Sequence, residues 1–359
     1  MAATRTEKHS PGERGHYALS PWQIPLSGWK EIAGRTWRQT WIDNVGLVAA
    51  GVAFYGFLAL VPLLGLIVLV YGTIAEPATV VSNMRGLTDI LPANVAGFIS
   101  EQMMAAVHTA QGTRGLGIAV ALAFAFYGGS NGAGAIITAL NIAYQEKEKR
   151  SLLRFYLIAL AMTLAAVLFA LSALAATAAI AYLDELAPNA SGFALAVGKV
   201  AAYAVLLLVA AAIAATLYRF APSRENARWE WITPGSLFTA VTWLLLTLAF
   251  GFYVTSITDY DATYGSLGAV IALLTWMYLS AYVFVIGAEL NSEIEHQTAK
   301  DSTTGDPEPM GRRGAWAADN VADDVGPEEQ VKQANKESPS IGDAGPPVPN
   351  DEPDPSRCE

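Results

Sequence analysis

The sequence predicts an all-α polytopic membrane protein with six transmembrane helices, and three observations support this prediction. Only 15% of the residues are charged, whereas soluble domains contain roughly 25%. The mean hydropathy of the chain is positive. The stretch from Tyr264 to Asn291 is uncharged and mostly apolar until Glu289. At about 1.5 Å of rise per residue, such a helix crosses a bilayer core of roughly 30 Å.

The chain ends in an acidic segment. Residues 1–291 contain 16 Lys and Arg against 16 Asp and Glu, whereas residues 292–359 contain 6 against 16 and nine of the eighteen prolines. A segment of this composition buries too little apolar area to offset the entropy lost on ordering. We therefore expect residues 292–359 to form a disordered, solubilising cytoplasmic tail, and a partner-binding tail is the less favoured alternative.

The N-terminal region divides into two parts. Residues 1–21 are polar and lack the apolar core of a cleavable signal peptide, so we expect a disordered leader. Residues 22–44 contain four tryptophans among basic residues, a mixture typical of an interfacial helix in the headgroup layer. A plain juxtamembrane linker is the alternative. The tryptophans are Trp22, Trp29, Trp37 and Trp41, and the basic residues are Lys30, Arg35 and Arg38.

The segment 45–291 is predicted to form the transmembrane domain. Pro62 should kink the first span, since it cannot donate the helical hydrogen bond to Leu58. In the long connection after that span, the apolar periodicity of residues 95–106 predicts a second surface helix that is amphipathic. The six spans are expected at about 45–71, 116–143, 152–182, 193–218, 233–257 and 264–290.

The distribution of basic residues predicts the orientation. Lys and Arg concentrate in the loops after the second and fourth spans, at 147–154 and 219–228, and the third and fifth connections contain none. Because cytoplasmic loops carry the excess of Lys and Arg, both termini are expected in the cytoplasm. The single cysteine, Cys358, cannot form an internal disulfide.

Several stretches, in order and suitably spaced between about residues 30 and 295, resemble the YihY/virulence factor BrkB family. The resemblance implies a six-span protein of the bacterial cytoplasmic membrane. The family has carried the label ribonuclease BN, and a transport role is often supposed for it. The matching stretches are 49–55 (AAGVAFY), Pro62-Leu63, Ser130, Leu140-Asn141, Tyr144, Arg150-Ser151, Arg154, 217–222 (LYRFAP), Pro234-Gly235, Tyr253, Tyr260, 264–268 (YGSLG), Trp276, Tyr278-Leu279 and 287–291 (GAELN).

The glycine-rich run at 128–134 is the first candidate site. Gly128 and Gly132 form a small-xxx-small face that favours close helix packing, which is the structural interpretation. The functional interpretation is a locally unwound segment at mid-membrane, as in transporters with broken helices. In that case Ser130, Asn131 and Asn141 form a polar seam along the second span.

Two further candidate sites lie at opposite ends of the bundle. Arg219 and Glu289 end the fourth and sixth spans at similar depth, so a cytoplasmic ion pair is predicted, as a structural lock or as a gate. Asp259, Asp261 and Tyr264 would lie at the outer mouth, where a solvated turn is favoured over a cation site.

The sequence contains no recognisable enzyme motif. The four histidines are scattered and no phosphate-binding loop is present, so neither a nuclease site nor ATP-driven transport is predicted. We expect no cofactor, metal or nucleic acid partner. The expected partners are the lipid bilayer and a small solute, and self-association stays open. The favoured function is a permease or exporter-like transporter of an unidentified solute. A membrane-bound RNA-processing enzyme and a non-transporting envelope or scaffold protein are the alternatives.

Overall fold

The computed structural model describes residues 14–72, 116–164, 192–256 and 267–322, and all of their extended secondary structure is helical. A 3-10 turn at Pro21–Gln23 precedes α1 (Leu26–Ile42) and α2 (Val45–Gly72). The bundle continues with α3 (Leu116–Ala143), α4 (Leu152–Leu164), α5 (Gly192–Phe220), α6 (Trp229–Ser256) and α7 (Leu267–His296). The one-turn α8 (Trp316–Asp319) follows.

The helices lie close to the predicted spans. α2 packs against α3 and α7, and α6 packs against α5 and α7. Two of the described helical segments, Trp229–Val254 and Val270–His296, are long and apolar enough to cross a membrane. α1 and the first part of α2, Val45–Leu60, form a pair of helices bent by 65°. If this pair is taken as one span, it is a third segment long and apolar enough to cross a membrane. α2 continues as one helix through Pro62, and the kink predicted there stays a prediction.

Large apolar side chains cover the outside of the bundle, as lipid-facing helices require. Examples are Leu47 on α2, Leu208 on α5, and Leu245 and Phe252 on α6, each more than half exposed. In water such a surface would be an aggregation hazard, whereas hydrocarbon solvates it without cost. The membrane assignment therefore rests on where the apolar residues point as well as on how many there are.

The main core lies at one end of the bundle, where α3, α5 and α7 end and α6 begins. We call it the Arg224 end. Val45, Ile137, Tyr144, Tyr218 and Val285 form part of one buried cluster there. The turn between α1 and α2 lies at this end too, and Asn44 adopts a left-handed φ of 49° within it, a conformation that Asn tolerates better than most residues.

α1 lies against the last turns of α7. Ile32 is fully buried, and Thr36 and Thr40 share its face. Arg35 donates from Nε to Glu293 Oε2 at 2.6 Å and from Nη2 to Gln297 Oε1 at 2.6 Å. The opposite face exposes Trp37 and Trp41, together with Lys30. α1 thus occupies most of the segment 22–44 with its polar anchors turned toward the protein, and its position in the headgroup layer stays a prediction.

Residues 292–321 differ from the prediction of a disordered tail. α7 continues to His296, six residues beyond the predicted end of the last span, and the charges of Glu293 and Glu295 in this extension are paired with Arg35 and Arg224. The segment 297–321, which we call the return segment, then folds back over the Arg224 end. Its backbone pairs with Asn226 through Thr304 N at 2.9 Å and with Arg228 N through Ser302 O at 2.9 Å.

The return segment also orders part of the predicted leader. Ala299 N donates to His16 O at 2.8 Å, and Thr298 Oγ1 donates to Ala18 O at 2.7 Å. Within the segment, Asp301 accepts from the backbone N–H of Thr303 and Glu308 at 2.9 Å each. Burial opposes ionisation of Asp301, but these hydrogen bonds outweigh it and hold the pKa of the carboxyl below its usual value. Hydrogen bonds between side chains and backbone groups therefore stabilise this segment, whose acidic composition supplies little hydrophobic core.

The chain divides into two compact units, 1–321 and 322–359. The second unit lies outside the described residues except for Ala322. The surface helix predicted within 95–106 and the distal half of the third predicted span are also outside the described part of the chain.

Candidate functional site

A cavity of about 1680 Å³ opens between α2, α3, α4, α5, α6 and α7. This volume exceeds the roughly 300–1000 Å³ of common ligand pockets. Its lining combines small apolar side chains at helix crossings, two indoles, and charged residues at the Arg224 end. The lining residues used below are Ala53, Gly56, Ala59, Gly129, Gly132, Lys149, Arg150, Arg154, Ala161, Thr163, Arg224, Glu225, Trp243, Trp276, Ser280 and Gly314.

Small residues bring α2 and α3 into close contact at the cavity wall. A Cβ added to Gly132 would lie 3.3 Å from the Ala59 Cβ and 3.6 Å from the Tyr55 carbonyl oxygen. A Cβ on Gly129 would overlap the Thr163 side chain of α4. Glycine is therefore required where three helices meet, and the space beside these contacts remains open because the neighbouring side chains are small.

Two indoles line the cavity on α6 and α7. The rings of Trp243 and Trp276 lie 6.3 Å apart at an interplanar angle of 57°. Trp243 Nε1 donates to Ser280 Oγ at 3.2 Å, and Trp276 Nε1 donates to Thr247 Oγ1 at 3.3 Å. With their N–H groups satisfied by hydroxyls, the indoles present apolar faces with fixed orientation.

Basic side chains surround the cavity at the Arg224 end. Arg150 donates from Nε and Nη2 to the Glu148 carboxylate, each at 2.7 Å, and Nη2 also donates to the Ala221 carbonyl at 2.9 Å. The hydrogen bonds from Arg150 lower the pKa of Glu148 to about 2. The exposed Arg154 guanidinium has no partner among the described residues. Among the described basic residues of the cavity lining, Arg154 is thus the one that is not paired with a carboxylate.

A fully buried ionic network closes the same end. Arg224 donates to Glu295 Oε2 at 2.7 Å and lies 4.7 Å from the centre of the Tyr144 ring. Ser302 of the return segment also donates to Glu295 Oε2 at 2.7 Å. Burial opposes the charge of Arg224, but the adjacent Glu295 carboxylate raises its pKa above the usual value. Burial also raises the pKa of the Tyr144 hydroxyl.

The glycine-rich run on α3 is not unwound. α3 is continuous from Leu116 to Ala143, so the locally unwound segment of the functional interpretation is not found, and the close contact at Gly132 agrees with the structural interpretation. Ser130 is buried, and its hydroxyl has no partner among the described residues. Asn131 is exposed on the outer face and does not line the cavity. The structure does not join these side chains into one seam.

Asn141 has a structural environment. Its Nδ2 donates to Glu148 Oε2 at 3.0 Å, and its Oδ1 accepts from Ser223 N at 2.7 Å. These bonds tie the end of α3 to the loop after it and to the loop between α5 and α6. The third member of the predicted seam therefore holds the loops that carry Arg150 and Arg224.

The predicted pair of Arg219 and Glu289 is not formed. The Arg219 guanidinium carbon lies 4.5 Å from the Trp229 ring centre and 5.3 Å from that of Phe220, so stacking takes the place of an ion pair. Glu289 is fully buried, and neither carboxylate oxygen meets a donor among the described residues. Similar depth did not imply contact, because Arg219 lies against Trp229 and Phe220, whereas Glu289 lies near Asp43 and Glu293.

Asp259, Asp261 and Tyr264 lie outside the described residues. Within the described part of the chain, no three His, Cys, Asp or Glu side chains are grouped to bind a metal. Sequence reasoning missed the network around Arg224 and Glu295. A signal for it exists: Glu289, Glu293 and Glu295 follow an apolar span with no basic residue among them, so any partners must come from distant segments.

A model of the family described as virulence factor BrkB matches residues 36–311, which include α2 to α7 and most of the return segment. The chain belongs to this family. The BrkB-family match begins within α1 and covers its second part, so Arg35 lies just outside the matched residues. No solved structure matches the chain.

Curated relatives of this BrkB-family chain are membrane proteins in several bacteria. A UPF0761 membrane protein of Pseudoalteromonas atlantica is 26% identical over 73% of this chain and 86% of its own length. YfkH of Bacillus subtilis, whose name describes it as ribonuclease-like, is 33% identical over 47% of this chain and 62% of its own length. A UPF0761 membrane protein of Idiomarina loihiensis is 28% identical over 45% of this chain and 55% of its own length. The BrkB-family chain is accordingly a membrane protein.

Proposed function

We propose that this protein is a permease or exporter-like transporter of a small solute in the bacterial cytoplasmic membrane. The observation that carries the proposal is the cavity of about 1680 Å³ between six helices, with small residues, indoles and basic side chains along its lining. Transporter sites lie between helices in this manner, where polar groups can face a water-filled space and not lipid. A bundle without such a space would offer no path to a solute.

The proposed topology has six spans, with the Arg224 end in the cytoplasm. α1, the return segment and the basic loops at 147–154 and 219–228 all belong to this end. Because Lys and Arg accumulate on the cytoplasmic side, this end and both termini are assigned there. Arg154 would then meet solutes arriving from, or leaving to, the cytoplasm.

Water access to the cavity tests the transport proposal directly. With Cys358 replaced by serine, cysteines are introduced at Ala161, which lines the cavity on α4, and at Leu157, which is exposed on the same helix outside the lining. A membrane-impermeant maleimide is applied to each side of proteoliposomes. Modification at position 161 and protection at 157 are expected. If the cysteine at 161 reacts with the maleimide from neither side, the cavity is dry and the transport proposal is contradicted.

Flux measurements in the same proteoliposomes complete the test. A panel of radiolabelled organic anions, organic cations and sugars is presented, and uptake is compared with that of empty liposomes. Ala161→Phe places an aromatic ring in the cavity and should reduce any protein-dependent uptake, whereas Leu157→Phe should leave it unchanged. The ribonuclease-like name of the Bacillus relative makes RNA a second substrate to offer. Metal-dependent RNA cleavage without solute flux would favour the enzyme alternative.

A further inference from the structure

The Glu289 carboxyl is an unusual group in this protein. Its side chain is fully buried on α7, and no donor among the described residues reaches either oxygen. The group placed to hydrogen bond with it is the Asp43 carboxyl in the turn between α1 and α2. Two carboxylates are both acceptors, so a hydrogen bond between them requires that one carry a proton.

Asp43 connects this buried group to the surface. It is half-buried, and its Oδ2 accepts from Gln39 Nε2 at 2.9 Å and from Gln145 Nε2 at 2.8 Å. These two amides come from α1 and from the residues after α3, so they fix the carboxyl from two sides. Asp43 Oδ2 therefore has two donors, whereas Glu289 has none among the described residues.

Among the described residues, no basic side chain forms a salt bridge with either carboxyl of the pair. The other titratable groups that face Glu289 are Glu293 on α7 and Tyr144 after α3, and both become negative when they ionise. Arg35 is engaged by Glu293 and Gln297, and Arg224 is engaged by Glu295. Two like charges in contact at a buried site cannot both persist unless a proton or cation joins them.

We propose that Asp43 and Glu289 form a proton-binding site, in which one proton is shared by the two carboxyl groups and exchanges with water through Asp43. The occupied pair carries one negative charge and the empty pair carries two. On release, the proton passes from Glu289 to Asp43 and from Asp43 to a water molecule. The site stands on this geometry whether or not the protein transports a solute.

Occupancy of this site would act on the packing of α1 and α2 against α7. Asp43 lies in the turn where α1 and α2 meet at 65°, and Glu289 lies on α7. Loss of the proton leaves two adjacent negative charges, which repel and weaken the contact between that turn and α7. The site thus offers a place where proton binding and helix arrangement are coupled.

Infrared spectroscopy of the full-length protein in lipid tests the proposal. The wild type should show the carbonyl stretch of a protonated carboxyl at neutral pH, shifted in D₂O and lost at alkaline pH. Both Asp43→Asn and Glu289→Gln should remove this band completely, since each new amide donates to the remaining carboxylate. Glu308→Gln, which changes an exposed carboxylate, should retain it.

The outcomes that overturn the proposal are distinct. A wild-type protein without the band at neutral pH has no shared proton, and this holds even if the variants fail to fold. A band that is lost in Glu289→Gln but retained in folded Asp43→Asn would indicate a lone protonated acid without a shared site. If the wild-type band is absent and sodium or potassium ions raise the thermal stability of the wild type but not of Glu289→Gln, the occupant is a metal cation and not a proton.

Discussion

Gly287→Ala should destabilise the protein more than an ordinary glycine substitution, because α6 and α7 touch at this position. An added Cβ would overlap Thr239 Oγ1 and would lie 2.7 Å from the Tyr218 hydroxyl oxygen and 3.0 Å from the Gly235 carbonyl oxygen. The Tyr218 and Thr239 hydroxyls are themselves bonded at 2.7 Å, and Tyr218 also donates to Phe284 O at 2.6 Å. The methyl group therefore meets neighbours that cannot rotate away without losing hydrogen bonds.

The expected cost follows from this geometry. Overpacking a dense contact costs typically 1–3 kcal/mol, and the upper part of that range applies here because backbone as well as side-chain atoms would have to shift. Displacing the shared hydrogen bond adds roughly 1 kcal/mol. We therefore expect Gly287→Ala to lower the free energy of unfolding by about 3 kcal/mol.

Reversible unfolding in mixed micelles measures this loss, and Gly51→Ala is the matched control. Gly51 lies inside α2, and no heavy atom lies within 4 Å of a Cβ added there. Replacing a helical glycine by alanine in open space is neutral or stabilising by up to about 1 kcal/mol. If Gly287→Ala unfolds at the same denaturant concentration as Gly51→Ala, the close approach of α6 and α7 is refuted.

Three further predictions concern charged groups at the Arg224 end. Glu295→Gln leaves the charge of its buried arginine partner uncompensated and should cost about 3 kcal/mol in the same unfolding assay. Glu148 has a lowered pKa of about 2 against an ordinary 4.5, so its ionised form stabilises the protein above pH 4.5 and that stability is lost as the pH falls toward 2. The melting temperatures of wild type and Glu148→Gln should therefore converge over that window, and a constant gap would contradict it. Arg219→Gln and Trp229→Leu should couple in a double-mutant cycle by roughly 1 kcal/mol, whereas additive effects would exclude the stacking.

The positions of the long helices were predictable from the sequence because lipid imposes one simple requirement on a span, whereas the count of six spans stays a prediction. A helix in hydrocarbon must be apolar over a fixed length, so its position can be read directly from the residues. α2 and α3 begin at the predicted residues, and α5 begins one residue early. α6 begins four residues before the predicted 233, since Trp229 and Glu230 extend it into the polar end.

The candidate sites were less predictable, because they depend on rotation and on distant partners. Asn131 and Ser130 are adjacent in sequence, yet one is exposed and the other is buried. Arg219 and Glu289 have the same depth but face different neighbours. Hydropathy sets the depth of a residue along a helix, but the direction of its side chain depends on how the helices pack.

The return segment was misjudged for a related reason. Composition predicts whether an isolated segment can fold. An acidic segment with several prolines is predicted to stay unfolded, because it buries too little apolar area. Residues 297–321 are held by contacts with other parts of the protein. They fold onto Asn226, Arg228 and the N-terminal residues, whose backbone groups supply hydrogen-bond partners that the isolated segment lacks. The prediction of disorder concerned the isolated segment and left out the surface that receives it.

The contact between the two ends of the folded unit has a consequence for biosynthesis. His16 and Ala18 accept hydrogen bonds from Ala299 and Thr298, about 280 residues later in the chain. Their partners do not exist until the last helix has been synthesised, and the return segment must then leave the ribosome before it can close over the bundle. During membrane insertion, the backbone groups of residues 14–18 therefore stay hydrated until these hydrogen bonds can form. A nascent chain arrested before residue 297 should leave residues 14–18 open to protease, and release of the full chain should protect them.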